Sequence, residues 1–175
     1  MATIIGLLLF SALNQTMLFN FSETSDATGW QVVNDDVMGG KSEASFFLTD
    51  AGSAVFQGRV SLENYGGFSS LRYNLNSVNT QGYSKVVVHL KGDGKKYQLR
   101  IREKESDYFS YISTFQTTGD WEKIEVPLNT MFPSFRGRKL ALPNYSGDSM
   151  VEITFLIANK KAESFRLELK KAWLD

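Results

Sequence analysis

Apolar and polar residues alternate along several stretches of the chain with the two-residue period of a half-buried β-strand. In Ser53–Leu62, the side chains of Phe56 and Val60 fall on one face. Lys85–Lys91, Lys96–Glu103 and Val151–Ile157 alternate in the same manner. These patterns predict strands whose apolar faces form the core, and the residues predicted to be buried are Phe56, Val60, Leu99, Ile101, Ile153 and Phe155.

Turn residues separate the alternating stretches. Gly92-Asp93-Gly94 predicts a hairpin turn, and Thr118-Gly119-Asp120 predicts a second turn. No stretch shows a sustained helical stripe with capping residues. About nine or ten strands joined by short turns predict an all-β fold, either an antiparallel sandwich or a barrel. Irregular loops at 34–41 and 64–68 and a long segment at 129–149 interrupt the pattern, and β scaffolds usually carry function on such loops.

Composition and charge narrow the classes of function. The length of 175 residues and the charged share of 22% fit a single globular domain. Since 19 basic residues balance 19 acidic ones, the chain has no global field that would attract nucleic acid. The absence of cysteine excludes a thiol nucleophile and cysteine-based zinc sites, and we expect neither a metal nor a cofactor. The only histidine is His89, and the pattern around it indicates no role.

Residues 1–16 differ from the domain that we expect at residues 17–175. Ile4–Phe10 is an apolar run too short to cross a bilayer, so we expect no integral membrane span. It resembles the apolar core of a secretory signal, although no basic residue precedes it. Residues 1–16 are a removable signal, a disordered or upstream segment before Met17, or a terminal strand. A cytoplasmic and an exported location both stay open.

The segment at residues 34–42 places adjacent carboxylates beside a pair of glycines. Asn34, Asp35 and Asp36 precede Gly39 and Gly40. Hard oxygen ligands of this kind could bind Ca²⁺. Asn and Asp side chains also brace turns through their own hydrogen bonds, which is much more common than a metal site. We favour the turn-bracing role, and all three polar residues are candidates for contact with a partner or ligand.

Arg100 and Arg102 fall on the polar face of one predicted strand. Two guanidinium groups that point the same way can hold a carboxylate, a phosphate or an acidic partner. The alternative is a solvated face on which they pair with Glu103 or Glu105. We treat both arginines as candidate binding residues.

A second candidate surface lies in a segment that we expect to be an irregular loop beside Pro133. Phe135, Arg136 and Arg138 combine an aromatic ring with two guanidinium groups, and such residues are typical anchors of protein interfaces. The alternative is that Phe132 and Phe135 fill one end of the sandwich.

Taken in order, these segments resemble the complex I intermediate-associated protein 30 family. The matching pieces cover the chain from about Phe19 onward, and they are Trp30 with Asp35-x-Val37-Met38-Gly39-Gly40-x-Ser42, Phe56-x-Gly58-x-Val60-Ser61-Leu62 with Gly66-Gly67-Phe68-Ser69-Ser70, Tyr97–Arg102, Trp121–Pro127, and Phe132-Pro133-x-Phe135-Arg136-Gly137-Arg138. The resemblance implies an antiparallel jelly-roll β-sandwich of the galactose-binding-domain-like class. The sequence departs from the family at Asp36, where glycine is frequent.

The resemblance also implies a function. The family's named member helps to assemble respiratory complex I by contacting other assembly proteins, so we expect a non-catalytic domain that recognises a protein partner. Jelly-roll domains often bind sugars, and a carbohydrate- or small-ligand-binding module is the alternative. An enzyme is not expected, because the spacing of Asp35, Asp36, Glu63 and Glu103 does not place two carboxylates across a cleft.

Overall fold

The computed structural model describes residues 15–23 and 26–175, apart from the side chains of Val37 and Met38. Strands dominate this part of the chain. In chain order they are β1 (Thr16–Asn20), β2 (Trp30–Asn34), β3 (Glu43–Thr49), β4 (Ser53–Val60), β5 (Ser69–Asn79), β6 (Lys85–Lys91), β7 (Lys96–Arg102), β8 (Ser110–Gln116), β9 (Trp121–Pro127), β10 (Phe132–Phe135), β11 (Arg138–Lys139), β12 (Ser149–Ile157) and β13 (Glu163–Leu174).

The strands form two antiparallel sheets. In the first sheet the order is β3-β4-β13-β6-β9, and β1 also pairs with β13. In the second sheet the order is β11-β10-β8-β7-β12-β5-β2. Most neighbours are distant in sequence, such as β4 beside β13, because the chain crosses repeatedly between the sheets as in a jelly roll. The predicted all-β, antiparallel jelly-roll sandwich is confirmed.

The core lies between the sheets and contains side chains from both. Phe56, Val60, Leu99, Ile101, Ile153 and Phe155 are each at most 1% exposed, which confirms the burial expected from alternation. Tyr97 is enclosed with them, and its hydroxyl donates a hydrogen bond to Asp93 Oδ1 at 2.9 Å. Full burial of one large apolar side chain contributes roughly 1.5–3 kcal/mol, so this core can support the sandwich without disulfides.

The segment around Pro133 is a hairpin, and the prediction of an irregular loop is wrong there. After a 3-10 turn at Leu128–Thr130, β10 pairs with β8 and with the short β11. Arg136 and Gly137 form the turn with φ angles of 49° and 75°. Two adjacent positive φ angles give a turn whose twist matches that of the paired strands. Because β11 has only 2 residues, its sequence shows no alternation that could have revealed it.

Short 3-10 turns at Asp35–Met38 and Glu63–Tyr65 interrupt the strands. Across the described residues, no helix has the length and apolar character that crossing a bilayer requires. The expectations for residues 1–16 fall outside the described part, apart from Gln15 and Thr16. Thr16 begins β1 and pairs with Leu174.

Candidate functional site

Two arginines flank a threonine on the outer face of the second sheet. In the strand register, Thr154 of β12 lies between Arg72 of β5 and Arg100 of β7. Adjacent residues such as Leu99 and Phe155 point into the core, so alternation directs these three side chains outward. We call this region the arginine cleft. Its volume is about 140 Å³, and its lining includes Arg72, Arg100, Arg102, Asp107, Tyr108, Glu152 and Thr154.

Arg100 carries a charge that no carboxylate of the described residues neutralises. Its Nε and Nη2 both donate to Gln98 Oε1, at 3.0 and 2.7 Å. Within the described chain, no carboxylate oxygen lies within 4.0 Å of Arg100 or of Arg72. Burial, and then the positive charge of Arg72, lowers the pKa of Arg100 to about 10. Arg100 therefore stays charged at neutral pH, and an anion bound between the two arginines would relieve their repulsion.

Arg102 has a carboxylate partner on the neighbouring strand. Its Nη2 lies 2.8 Å from Glu152 Oε2, and the two residues are opposite each other in the register. Thr154 Oγ1 donates to the other oxygen of Glu152 at 3.2 Å. Arg102 therefore pairs with Glu152, and not with Glu103 or Glu105 as the predicted alternative required. The Nε of Arg102 is buried and has no partner among the described residues, so it retains one unused donor.

Aromatic rings border the cleft. Tyr108 lines it and is 65% exposed, and its ring centroid lies 5.2 Å from that of Phe135. The guanidinium of Arg136 lies 5.3 Å from the centre of the Phe135 ring. The hairpin of β10 and β11 therefore adjoins the arginine cleft through Tyr108. Phe135 is 38% exposed and does not fill the end of the sandwich.

Asp35 holds two loops together from inside the fold. Its carboxylate is 1% exposed and accepts hydrogen bonds from Ser42 N at 2.9 Å, Ser42 Oγ at 2.5 Å, Gly67 N at 2.6 Å and Phe68 N at 3.2 Å. Burial raises the pKa of Asp35, but the hydrogen bonds from Ser42, Gly67 and Phe68 outweigh it, so the pKa lies below its usual 3.8. A partner on the surface cannot reach this carboxylate while the loops are closed.

Asn34, next to Asp35, contributes to the same loop junction. Asn34 Oδ1 accepts a hydrogen bond from Ser69 Oγ at 2.6 Å, and Asp36 is exposed. A Cβ atom on Gly66 would stand 2.6 Å from the Asp35 carboxylate, so only glycine fits there. The described residues contain no group of three or more His, Asp or Glu side chains that could hold a metal ion.

The structure divides the residues predicted from the sequence between three places. They are the arginine cleft (Arg100 and Arg102), the adjoining hairpin (Phe135, Arg136 and Arg138) and the loop junction (Asn34, Asp35 and Asp36). Sequence reasoning missed Arg72, Glu152 and Tyr108. The outward positions of Arg72 in the alternating stretch Ser69–Leu75 and of Glu152 in Val151–Ile157 were signals for both residues, whereas Tyr108 carries no local signal.

Comparison with known proteins shows to which family the chain belongs. The model of the complex I intermediate-associated protein 30 family matches residues 19–169. The chain belongs to this family. A curated member, complex I intermediate-associated protein 30, mitochondrial, of Drosophila melanogaster, is 22% identical over 154 residues, which are 75% of this chain and 52% of that protein. The chain thus spans about half the length of the curated relative that it matches.

Solved structures share the fold of this family member. A family 11 carbohydrate-binding module of a cellulosomal cellulase from Clostridium thermocellum matches with a TM-score of 0.68 and 18% identity, covering 94% of this chain and 95% of the module. The Clostridium thermocellum module in complex with a β-1,3-1,4-mixed-linked tetrasaccharide matches with the same TM-score, 0.68, and 18% identity, covering 94% and 96%. At this identity the likeness shows the fold, which is galactose-binding-like as predicted.

Proposed function

We propose that this domain is a non-catalytic binding domain that recognises a protein partner through the arginine cleft. The observation that carries the proposal is Arg100, which is held beside Arg72 with the neutral amide of Gln98 as its acceptor among the described residues. A carboxylate of a partner would supply the missing counter-charge. Guanidinium and carboxylate groups form short, two-point hydrogen bonds, so such a partner would also be fixed in orientation.

The size of the cleft favours one acidic side chain over a long ligand. The cleft has a volume of about 140 Å³. A pocket that encloses a drug-sized ligand has at least about 300 Å³. The cleft therefore suits the carboxylate end of an Asp or Glu side chain.

The aromatic border extends this site into a surface that a protein can cover. Tyr108 and Phe135 are exposed and in mutual contact, and Arg136 stacks beside them. Tyrosine and arginine are enriched among the residues that contribute most to protein interfaces. An acidic partner would bury these rings and place its carboxylate in the cleft.

Family membership supports a more specific role as an assembly factor of respiratory complex I. The curated relative is named for its association with a complex I intermediate, and the chain spans about half of it. We propose it for this chain on that basis, with the arginine cleft as the surface that contacts another assembly protein.

A carbohydrate-binding role is the second candidate, and the fold favours it. Carbohydrate-binding modules share this sandwich, and one of them is solved with a tetrasaccharide. The cleft has aromatic rings at its border, but the charges of Arg72 and Arg100, which have no carboxylate within 4.0 Å among the described residues, favour an acidic group over a neutral sugar. We therefore rank the protein partner first.

Photo-crosslinking in the native host tests the protein partner. A photoreactive phenylalanine analogue at position 108 should form a covalent adduct with a protein, and mass spectrometry should map the adduct to a segment that contains Asp or Glu. Arg72→Gln with Arg100→Gln should reduce the adduct at least about tenfold, since hydrogen bonds to charged groups contribute about 1.5–3 kcal/mol.

A matched double variant keeps this test specific. Arg59→Gln with Arg166→Gln removes two exposed arginines from the first sheet and should leave the adduct unchanged. Equal losses in both double variants would show that total charge, not the cleft, controls binding. The carbohydrate role replaces the proposed one if two results are obtained together. No protein adduct forms, and the wild type binds oligosaccharides while the Arg72→Gln, Arg100→Gln double variant does not.

A further inference from the structure

The outer face of the first sheet carries an ordered array of basic and aromatic side chains. The register places His89 of β6 between Lys123 of β9 and Lys171 of β13. In the adjacent row Lys91 lies opposite Trp121, whose ring contacts His89 with 5.2 Å between centroids. We call this array the lysine–tryptophan face, and it is defined by Lys91, Trp121, Lys123, Lys170, Lys171 and Trp173.

A β-bulge in β13 adds one lysine to this face. The register of β13 against β6 shifts between Leu169 and Lys171. Consecutive residues of a regular strand point to opposite sides, whereas a bulged residue lets two neighbours share one side. Lys170 Nζ lies 5.8 Å from the ring centre of Trp121, and Lys171 Nζ lies 5.3 Å from that of Trp173. Both lysines therefore belong to the outer face.

The positive charge of this face is not neutralised by the described part of the chain. None of its four lysines has a carboxylate oxygen within 4.0 Å among those residues. Acidic residues on this side of the sheet already have cationic partners. Glu125 and Asp175 both pair with Lys85, at 2.8 and 3.3 Å, and Glu168 pairs with Arg166 at 3.5 Å. A cluster of one sign of charge attracts a partner of the opposite sign.

Exposed apolar side chains lie on the same side of the sheet. Met17 lies opposite Trp173 in the register. Phe47 lies in the same row as Val55 and Glu168, because Val55 pairs with both. Met17, Phe47 and Trp121 are 46%, 42% and 42% exposed. Lysines beside exposed tryptophan and aliphatic groups are typical of surfaces that lie in a membrane interface, where ammonium groups meet lipid headgroups.

We propose that the lysine–tryptophan face binds peripherally to a bilayer that contains anionic lipids. Its strands lie side by side, so the lysines approach a plane together, whereas the arginine cleft admits one small group. Near an anionic bilayer each lysine strengthens binding by roughly fivefold. The face and the arginine cleft are on different sheets, so one domain can contact a membrane and a protein partner at once. This proposal stands independently of the protein partner.

Vesicle sedimentation with the complete chain tests the proposal. Wild type should bind vesicles of phosphatidylcholine mixed with phosphatidylserine, and should release them at high salt because the attraction is screened. Vesicles of phosphatidylcholine alone should bind weakly. Lys170→Ala with Lys171→Ala should weaken binding to the mixed vesicles by about 25-fold. Thermal unfolding should show that the double variant stays folded, since both lysines are only half-buried and lose no ion pair, only their cation–π contacts with Trp121 and Trp173.

A charge-matched variant separates this face from total charge. Lys104→Ala with Lys139→Ala removes two exposed lysines outside the first sheet and should change vesicle binding less than about twofold. The proposal is overturned by equal affinity for both kinds of vesicle, or by equal losses in the two double variants. It is also overturned if polyglutamate, and not mixed vesicles, protects Lys170 and Lys171 from acetylation, because the face would then be a protein surface.

Discussion

Asp35 and Arg100 are both charged groups withdrawn from water, yet their surroundings are opposite. Asp35 accepts four hydrogen bonds from two loops, and these bonds stabilise its charge. Arg100 has a neutral amide acceptor and a second arginine beside it. The first arrangement stabilises the fold, whereas the second lowers stability until a counter-ion binds. Enzymes and binding proteins often retain such unfavourable groups for function.

The loop junction should show the largest effect on stability. Asp35→Asn replaces an acceptor by an amide whose NH₂ cannot accept the hydrogen bonds from Gly67 and Phe68, and we expect a loss of about 3 kcal/mol. Urea unfolding measures it. The exposed Asp50→Asn should change the free energy of unfolding by less than about 0.5 kcal/mol. Equal, small effects of the two variants would contradict the structural role of Asp35.

Acid should narrow the difference in the free energy of unfolding between wild type and Asp35→Asn. Since the folded-state pKa of Asp35 lies below 3.8, its contribution is fully present above that pH and is lost as the pH falls through the lowered value. The free energies of unfolding of the two proteins, plotted against pH, should therefore converge at acidic pH. Parallel curves down to the lowest pH would show that the charge of Asp35 is unimportant.

Gly66→Ala should disturb the same junction by contact rather than by charge. The new Cβ would stand 2.6 Å from Asp35 Oδ2 and 2.9 Å from the Ser61 carbonyl oxygen. The φ angle of Gly66 is −65°, which alanine adopts freely, so crowding alone should cost about 2 kcal/mol. Thermal unfolding checks this. A neutral substitution would mean that the carboxylate can move, and would restore Asp35 as a candidate for partner contact.

Two arginines of the arginine cleft should differ in their effect on stability. Arg100→Gln removes an unneutralised charge, and we expect the free energy of unfolding to stay constant or rise by up to about 1 kcal/mol. Arg102→Gln leaves Glu152 without its ion-pair partner and should lower it by about 2 kcal/mol. Urea unfolding of the two variants side by side separates them. A large loss with Arg100→Gln would show that this arginine is structural.

The smallest effect concerns His89. Burial, followed by the charges of Lys170, Lys123 and Lys171, lowers its pKa below the usual 6.5. The unfolded chain then takes up the proton first, so the free energy of unfolding should fall slightly as the pH drops below the usual pKa of 6.5. His89→Gln should remove this dependence, and NMR titration of the wild type should show the lowered pKa. An ordinary pKa would weaken the description of crowded charge on this face.

The fold could be predicted because its causes are local. Alternation over seven or more residues identifies which side chains face the core, and Leu99 and Phe155 are buried as that rule requires. The hairpin of β10 and β11 escaped prediction because β11 is too short to alternate. The bulge beside Lys170 escaped it because a register shift depends on the partner strand.

The candidate site could be predicted only in part. The outward direction of Arg100 and Arg102 follows from alternation along β7, and so it was accessible. Alternation also directs Arg72 and Glu152 outward, but their position beside Arg100 and Arg102 was not predictable, because it depends on pairing between strands far apart in sequence. Asp35 was recognised as a turn-bracing residue, but its contact with Gly67 joins two loops that only the folded chain brings together.

The most direct test of the arginine cleft is NMR detection of the guanidinium groups during titration with small probes. The Nε–H signals of Arg72 and Arg100 should shift with N-acetyl-aspartate amide and stay unchanged with N-acetyl-asparagine amide, because the two probes differ in charge and scarcely in size. Arg59 and Arg166 should respond to neither probe. Identical responses to both probes, or shifts of equal size at all four arginines, would contradict the proposal that the cleft binds a partner's carboxylate.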